Sequence, residues 1–469
     1  MTVAQITLIK GDRHSKNTDY RDYLPVNMVA ILRPMFGAAG YMLQSPGLTQ
    51  YGEGSGIDRG GVWNERLQLL FRVSGNDLIS VDTDGSVTVL GTIPGTDTVS
   101  LPYSFNTQAI IADGNYYLYD PTNGFRQVID ADVGDPIDAV WVDGYYFFTD
   151  GDYLYHTDIS DEESINPLNY ATAEFSPDPT LAVALTPDDK VMVFGRYSIE
   201  YFINQANDNF AFTRASTRGI KMGIVGTHCQ EEIGGQFYVL GGAKNEHISV
   251  YVVSIGAQSK VGSREVDKIL AQYTEAELTS AVLESYQNDG YTYLIVHLPN
   301  EVLQFNVTVS GSVGVDSAWS ILKSDVAGEL PWRAKHIVFD PRRAEWVCGD
   351  KFDSILGMIN NQIATQYDRI IEWLLYTPFI YLEEQSIDEF EVETIPGFNV
   401  DDDATVFLSL TYDGTTHGQE YVQLYSHPND YNQRFKARRL GYVSDWVGFK
   451  LRGATRSRMA FGRGMIDYG

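Results

Sequence analysis

The stretch VWVDGYYFFTDGDYLYHTD (residues 140–158) sets Tyr and Phe residues around two Asp-Gly pairs. Asp-Gly favours the positive φ angles of type I′ hairpin turns, and the flanking Val, Tyr and Phe favour pleated strands. Turns at Asp143-Gly144 and Asp150-Gly151 therefore predict three short strands. Two interpretations of the aromatic residues are open at this point. They form either an exposed platform that stacks on sugars or the core of a β-sheet.

The position of the rings along the middle strand favours the core. Residues 145–148 are four consecutive aromatic residues, and successive side chains of a strand point to opposite faces. All four therefore cannot face one ligand. We expect at least two of them to pack between neighbouring sheets, and we expect Tyr153 and Tyr155 to do the same on the next strand.

The same order of apolar run, turn and second apolar run recurs along the chain. Seven such units start near residues 67, 109, 140, 190, 236, 291 and 336. Most of the gaps between them are close to the roughly 40 to 50 residues that a four-stranded propeller blade needs. The sequence therefore predicts an all-β chain in which residues 61–374 form a β-propeller of six or seven blades. A set of unrelated β-sandwiches is the alternative.

The segments outside and between these units have other patterns. Residues 1–60 carry frequent Gly and Pro between short polar runs, which predicts an extended N-terminal arm. Residues 263–286 carry helix formers, and Thr274 and Glu277 have capping-box spacing, which predicts a helical insertion between blades. Residues 375–469 read as strands of a separate C-terminal β-sandwich.

Charge is segregated within the predicted sandwich. Residues 383–403 hold nine acidic groups, whereas residues 434–463 hold nine Lys or Arg and a single acid, Asp445. This basic tail segment either docks on an acidic partner or forms a solvated strand face, and both interpretations stay open. Its candidate partner contacts are Arg434, Lys436, Arg438, Arg439, Lys450 and Arg452.

The composition excludes several classes of protein. With 62 acidic and 34 basic residues the chain carries a net charge of −28, which argues against a sequence-reading DNA binder. Two cysteines, Cys229 and Cys348, are too few for a disulfide-built secreted protein and are expected to be reduced and buried. The N-terminus has no signal-peptide pattern, and the most apolar stretch (residues 370–382) is shorter than a membrane span. We expect synthesis in the cytoplasm and no membrane insertion.

The search for catalytic and cofactor-binding motifs is negative. No two of the eight His lie within four residues, so no local pair predicts a metal site. The G-x-S-x-G and P-loop patterns are absent. Acidic pairs such as Asp82 and Asp84 fall at turns, where Asp stabilises the bend. We therefore predict no catalytic residue, no cofactor and no metal-ligating residue.

The N-terminal run NTDYRDYLPVNM (residues 17–28) resembles a segment of the packaged-DNA stabilisation proteins of short-tailed bacteriophages, also called tail accessory or tail hub proteins. Its residues Asp22, Tyr23, Leu24, Pro25 and Asn27 are candidate partner contacts. Five further fragments resemble the same family in the same order. They are SIEYF (198–202), LIVHLP (294–299), CGDK (348–351), TQYD (365–368) and GFKLR (448–452).

The resemblance implies a structural role in the virion tail. Members of this family are non-enzymatic plugs that assemble as a homohexamer beneath the head-to-tail adaptor ring on the portal after DNA packaging. They retain the genome and carry the tail needle and the tailspikes. The resemblance also implies a propeller fold, synthesis in the cytoplasm of the host bacterium, and passage of packaged DNA without sequence-specific binding. A ring of copies at −28 each would not grip a DNA duplex, so it would retain DNA by steric closure.

Two other functions are weighed against this one. A propeller glycoside hydrolase or carbohydrate-binding protein would have exposed aromatic residues and two inward carboxylates at the channel mouth. A receptor-binding tail fibre would usually show a repeat along its axis, and this sequence shows none.

Overall fold

The computed structural model describes residues 2–9, 24–34, 39–215, 219–395, 404–427 and 434–469. It is 54% strand and 5% helix, which confirms the all-β fold class. The N-terminal part contributes four strands. They are β1 (Thr2–Thr7), β2 (Met28–Ile31), β3 (Tyr41–Gln44) and β4 (Gly47–Glu53).

Four antiparallel sheets follow in chain order and form blades 1 to 4 of a propeller. Each sheet is built mainly of strands joined by tight turns, as the Asp-Gly and Asn-Gly signals predict. The strands are β5 (Asp58–Asn64), β6 (Leu69–Ser74), β7 (Asp77–Val81) and β8 (Val87–Thr92) in blade 1; β9 (Gln108–Ala112), β10 (Asn115–Asp120) and β11 (Gly124–Gln127) in blade 2; β12 (Asp138–Val142), β13 (Tyr145–Thr149), β14 (Leu154–His156) and β15 (Tyr170–Ala171) in blade 3; and β16 (Thr180–Leu185), β17 (Val191–Gly195), β18 (Ile199–Asn204) and β19 (Phe212–Arg214) in blade 4.

Three further sheets form blades 5 to 7, and short helices accompany them. The elements are β20 (Gly223–Ile224), β21 (Gln230–Ile233), β22 (Gln236–Gly242), β23 (Ser249–Ser254) and β24 (Ala257–Lys260) in blade 5; α1 (Arg264–Leu270) and α2 (Glu275–Leu278) between blades; β25 (Val282–Asn288), β26 (Tyr291–His297), β27 (Val302–Asn306), α3 (Val307–Val313), a 3-10 turn (Val315–Ala318) and β28 (Trp319–Ile321) in blade 6; β29 (Lys323–Asp325) and β30 (Leu330–Pro331) in a hairpin; and β31 (Ala334–Asp340), β32 (Glu345–Asp350) and β33 (Ile355–Asn360) in blade 7.

The ring is closed by a strand from the N-terminal part. β4 pairs antiparallel with β33, with Ile355 opposite Glu53 and Asn360 opposite Gly47. β4 is thus the fourth strand of blade 7, and β31 of the same blade packs against β5 of blade 1. The residues that the structure describes form seven blades, and each of the seven units predicted from the sequence falls in a different blade.

The aromatic stretch of blade 3 forms the core between blades. Tyr146 and Phe148 face blade 2, where their rings lie edge-on to Tyr116 with centroids 5.9 and 4.9 Å apart. Phe147 points to the opposite face and lies edge-on to Phe212 of blade 4 at 4.9 Å. Tyr146, Phe147 and Phe148 are fully buried. The predicted alternation is therefore correct, and the sugar-platform interpretation of these three rings is wrong.

The two tyrosines of the next segment differ from each other. Tyr155 is buried and stacks on Phe148 at 5.2 Å, as expected. Tyr153 is 46% exposed and meets Tyr170 edge-on at 5.6 Å, so the expectation that it packs between blades is wrong. The reason is that Tyr153 precedes β14 and still belongs to the turn after Asp150.

The C-terminal part is a sandwich of two sheets. One sheet has the order β2-β3-β42-β37-β40, with β1 also on β42, and the other has the order β34-β35-β41-β38-β39, with β36 also on β41. The strands are β34 (Thr365–Gln366), β35 (Arg369–Tyr376), β36 (Ile380–Tyr381), β37 (Gln385–Thr394), β38 (Ala404–Thr411), β39 (Tyr421–Ser426), β40 (Phe435–Val443), β41 (Trp446–Thr455) and β42 (Ala460–Tyr468).

The described part of residues 1–60 is not the extended arm that the sequence predicts. β1 and β3 pair with β42, β2 pairs with β3, and β4 completes blade 7. β5 already begins blade 1. Frequent Gly and Pro break up the local pattern, and the strands β42 and β33, with which β1, β3 and β4 pair, lie hundreds of residues later in the chain. A local sequence pattern therefore cannot reveal them.

Two predicted boundaries also shift. The helical insertion covers α1 and α2 only, because β25 begins at Val282; its capping box between Thr274 and Glu277 is present. The predicted domain boundary at residue 374 falls inside β35, which already belongs to the sandwich. No linker marks the change, since β34 pairs with both β4 and β35 and joins blade 7 to the sandwich in one continuous sheet.

Candidate assembly surfaces and the propeller axis

The basic segment of the sandwich lies beside the acidic one. β40 pairs with β37, so cations of β40 meet carboxylates of β37 across one sheet. Arg434 lies 2.5 Å from Glu391, Lys436 lies 3.0 Å from Glu391 and also contacts Glu389, and Arg438 lies 2.8 Å from Glu389. The segregated charges are therefore neighbours in space. Much of the local positive charge is matched within the chain, which favours the solvated strand face over a free basic patch.

Of the two candidate contacts on β41, Arg452 is also matched by a carboxylate. Arg452 makes a two-pronged ion pair with Glu420, with both N–O distances 2.7 Å, and its guanidinium lies 4.3 Å from the centroid of the Phe407 ring. Lys450 lies two residues earlier on the same strand and is half-buried. These two residues lie in the other sheet from β40, so the structure does not bring all six basic candidates together.

Arg439 lies at an irregular point of β40. The register of β40 on β37 shifts here, because Arg438 is opposite Glu389 whereas Gly441 is opposite Ile387. Arg439 sits in this bulge with a φ of 59° and is exposed. Within the described parts of the chain, its guanidinium has no hydrogen bond or ion pair. A bulge commonly redirects a side chain away from the sheet, and here it carries a cation that has no partner among the described residues.

Three of the five N-terminal candidates lie inside the chain. Leu24, Pro25 and Asn27 are buried, whereas Asp22 and Tyr23 lie outside the described residues. The amide N–H of Ile321 donates to the carbonyl of Pro25 at 2.9 Å. The Asn27 side chain donates to the carbonyls of Lys323 and Glu372 at 3.0 and 2.7 Å.

This segment therefore joins the end of blade 6 to β35 of the sandwich. Residue 26 bridges both sides, with Ile321 in one direction and Leu374 in the other. We expected Leu24, Pro25 and Asn27 to contact a partner. Because they are buried, they instead stabilise the chain itself. The family resemblance of residues 17–28 gave no sign that this segment joins the propeller to the sandwich. The residues that Asn27 contacts lie 296 and 345 positions later in the chain.

A buried ionic cluster joins β31 of blade 7 to β5 and β6 of blade 1. Arg72 makes two hydrogen bonds to Asp58, at 2.7 and 2.9 Å, and Nδ1 of His336 lies 2.7 Å from the same carboxylate. Burial would raise the pKa of Asp58, but the Arg72 guanidinium and the His336 ring hold it below its usual value. Burial lowers the pKa of His336 to about 4, so the ring is neutral at pH 7.

Two carboxylates on inner strands test the glycosidase alternative. Glu231 of β21 accepts a hydrogen bond from Ser285 at 2.7 Å, and burial raises its pKa to about 8. Glu284 of β25 is held at one oxygen by His297 and at the other by the amide of Ile337, at 2.8 Å. Both oxygens of Glu284 are thus occupied by protein groups.

The described ranges contain no group of three or more His, Cys, Asp or Glu that could hold a metal ion. Cys229 and Cys348 are buried and unpaired, as expected, and burial raises the pKa of Cys229 to about 12, so this thiol is unreactive at pH 7. No described helix has the length and apolar character needed to cross a membrane.

Comparison with known proteins decides the family. Residues 4–364 match the family model described as bacteriophage P22 Gp10, beta-propeller, and residues 372–469 match the one described as bacteriophage P22 Gp10, beta-sandwich. The chain belongs to the bacteriophage P22 Gp10 family. This confirms the resemblance seen in the sequence and the combination of propeller and sandwich.

A curated relative of this P22 Gp10 family member is the tail hub protein gp10 of Salmonella phage P22. It is 29% identical over 486 residues, covering 97% of this chain and 98% of the relative. The similarity therefore extends over both parts of the fold. It supports the prediction of a structural protein and not an enzyme.

Solved structures outside the family are similar only in outline. Virginiamycin B lyase from Staphylococcus aureus has a TM-score of 0.44 and 10% identity, covering 67% of this chain and 98% of the lyase. The N-terminal domain of Nup159 has a TM-score of 0.43 and 10% identity, covering 72% of this chain and 99% of that domain. Similarities this low carry no argument about function.

Proposed function

We propose that this protein is a structural hub of a short phage tail, made in the cytoplasm of the host bacterium and incorporated in the virion. Six copies form a ring beneath the head-to-tail adaptor on the portal after DNA packaging. The ring plugs the channel, retains the genome and carries the tail needle and the tailspikes. DNA passes through the ring at ejection without sequence-specific binding.

The observation that carries this proposal is the end-to-end match to a tail hub protein. It covers 97% of the chain and includes both the propeller and the sandwich. The net charge of −28 supports the role in DNA passage, since a negative channel wall repels a duplex and lets it slide. Retention then rests on steric closure by the ring and the needle.

The construction of the chain is consistent with a load-carrying part. Among the described residues, two features tie the two parts of the fold together. They are the continuous sheet from blade 7 into the sandwich, and residues 24–27 between blade 6 and β35. A hub that transmits force between head and tail requires such ties, because interfaces between domains otherwise allow relative motion.

An assembly experiment tests the proposal. The full-length protein is mixed with purified adaptor ring, and the mass and symmetry of the product are measured by native mass spectrometry and electron microscopy. The proposal predicts six copies per adaptor ring. Protein that stays monomeric both alone and with the adaptor would contradict it.

A further inference from the structure

A groove of about 640 Å³ opens where blades 2, 3 and 4 meet. Phe105, which is 54% exposed, lies edge-on to Trp141 in this groove with the ring centroids 4.7 Å apart. The guanidinium of Arg66 lies 4.5 Å from the centroid of the Phe105 ring. The groove therefore has an exposed aromatic floor, and one of its rings already accepts an arginine from the same chain.

The walls of this groove carry negative charge that no described Lys or Arg neutralises. Arg126 lines the groove, but it is paired with Asp120 and Glu163. Four other carboxylates line the groove, namely Asp143, Asp161, Glu162 and Asp189. None of them forms an ion pair with a Lys or Arg of the described ranges. An aromatic floor between unpaired carboxylates suits a guanidinium, which stacks on rings and binds carboxylates.

The same chain offers an arginine of the matching kind on a different surface. Arg439 projects from the bulge of β40 without a described partner, and Arg438 beside it is 71% exposed. β40 is the last strand in its sheet order and, among the described residues, pairs only with β37. Exposed strand edges are ready-made surfaces for contact with another chain.

We propose that Arg439 and the edge of β40 dock in this groove on the next copy of the chain around the ring. The inference rests on the hexamer of the proposed function. A closed ring needs a head-to-tail interface, in which two different patches of one chain meet on neighbouring copies. The acidic groove lies on the propeller and the bulge lies on the sandwich, so each copy presents both patches to different neighbours.

A charge-swap experiment tests the inference. Arg439→Asn removes the cation, and Asn tolerates the positive φ of this position. Asp161→Arg places a cation in the wall of the groove. Each variant should weaken ring assembly about 10-fold or more, measured by analytical ultracentrifugation with the adaptor ring present if the wild type needs it. The double variant Arg439→Asp with Asp161→Arg exchanges the two charges and should restore most of the assembly.

Controls separate docking from folding and from the proposed function. Lys244→Asp changes an exposed cation of blade 5 that does not line the groove, and it should assemble as the wild type does. Thermal midpoints of all variants should match that of the wild type.

If the wild type forms hexamers and both single variants do so equally well, this interface is wrong and the proposed function stands. If the double variant is no better than the single ones, specific pairing is wrong. If the wild type never forms hexamers, the proposed function and this inference both fail.

Discussion

Asn27 and Lys323 are 296 positions apart and bind each other in both directions. Nδ2 of Asn27 donates to the carbonyl of Lys323 at 3.0 Å, and the amide N–H of Lys323 donates to Oδ1 of Asn27 at 2.9 Å. The same amide nitrogen of Asn27 also donates to the carbonyl of Glu372 at 2.7 Å. One buried side chain thus satisfies backbone groups of both the propeller and the sandwich. Its φ of 55° suits Asn better than most other residues.

Replacing Asn27 should destabilise the whole chain. Asn27→Ala leaves buried backbone groups of Lys323 and Glu372 without partners, and each such group costs about 1–3 kcal/mol. We expect a loss of about 3 kcal/mol in the free energy of unfolding, measured by chemical denaturation with tryptophan fluorescence. Asn300→Ala, at an exposed turn, is the matched control and should change the free energy by less than about 0.5 kcal/mol. Equal effects of the two substitutions would contradict the role given to Asn27.

The ion pair between blades 7 and 1 should be sensitive to the loss of one charge. Asp58→Asn leaves Arg72 charged and buried, and breaking a buried pair in this way costs about 3–5 kcal/mol. The exposed pair of Arg438 with Glu389 provides the comparison, since Arg438→Ala should cost no more than about 1 kcal/mol. Thermal unfolding of both variants checks the difference. Similar losses would mean that the buried pair does not hold the ring closed.

Stability should fall between pH 6.5 and pH 4. The pKa of His336 is lowered to about 4 in the folded chain, whereas an unfolded His has a pKa near 6.5. As the pH falls through this window, the unfolded chain takes up a proton that folded His336 does not, so this contribution is complete above pH 6.5 and is lost toward pH 4. At pH 5, His336 alone should lower the free energy of unfolding by about 2 kcal/mol relative to neutral pH.

A substitution of His336 isolates its share of the pH dependence. Asn at this position tolerates the φ of 55° and retains a donor for Asp58. His336→Asn should flatten the pH dependence of the free energy of unfolding between pH 6.5 and pH 4.5 relative to the wild type. The groups that face His336 are Asp58, Lys335 and Glu284, and they remain in the variant. An unchanged slope would show that His336 is not protonated on unfolding.

The aromatic stretch of blade 3 allows a buried ring and an exposed ring to be compared by substitution. Phe148→Ala empties a fully buried site between Tyr116 and Tyr155 and should cost about 3–5 kcal/mol. Tyr153→Ala removes a half-exposed ring of the same blade and should cost less than about 1 kcal/mol. Denaturant midpoints give both numbers. A large loss for Tyr153→Ala would indicate that the ring has a packing role that its exposure does not suggest.

The propeller was predictable from sequence because its signals are local. Asp143 and Gly144 have φ angles of 50° and 92°, the positive values that an Asp-Gly hairpin turn requires, and this turn fixes which residues of β12 and β13 are opposite each other. Repetition of such hairpins at blade-like intervals then indicated the ring. The capping box of α2 was readable for the same reason, since its two side chains are three residues apart.

The features that could not be predicted depend on pairing between distant parts of the chain. Gly47 and Asn360 are opposite each other in blade 7, but 313 positions separate them, and nothing near Gly47 indicates a strand. The opposite charges of β37 and β40 were visible as two blocks, yet only the sheet order places Glu391 beside Lys436. The burial of Asn27 and the exposure of Arg439 were not predictable for the same reason. Both depend on strands that are distant in sequence.

The most direct test of the central claim is a measurement of DNA retention. Genome-filled phage particles that lack this protein are incubated with purified full-length protein, and the DNA released over time is measured by nuclease sensitivity and dye fluorescence. The proposal predicts that release stops once six copies are bound per particle, and that Arg439→Asn requires a higher protein concentration for the same protection. DNA that continues to leak from particles saturated with bound protein would contradict the role as a plug that retains the genome.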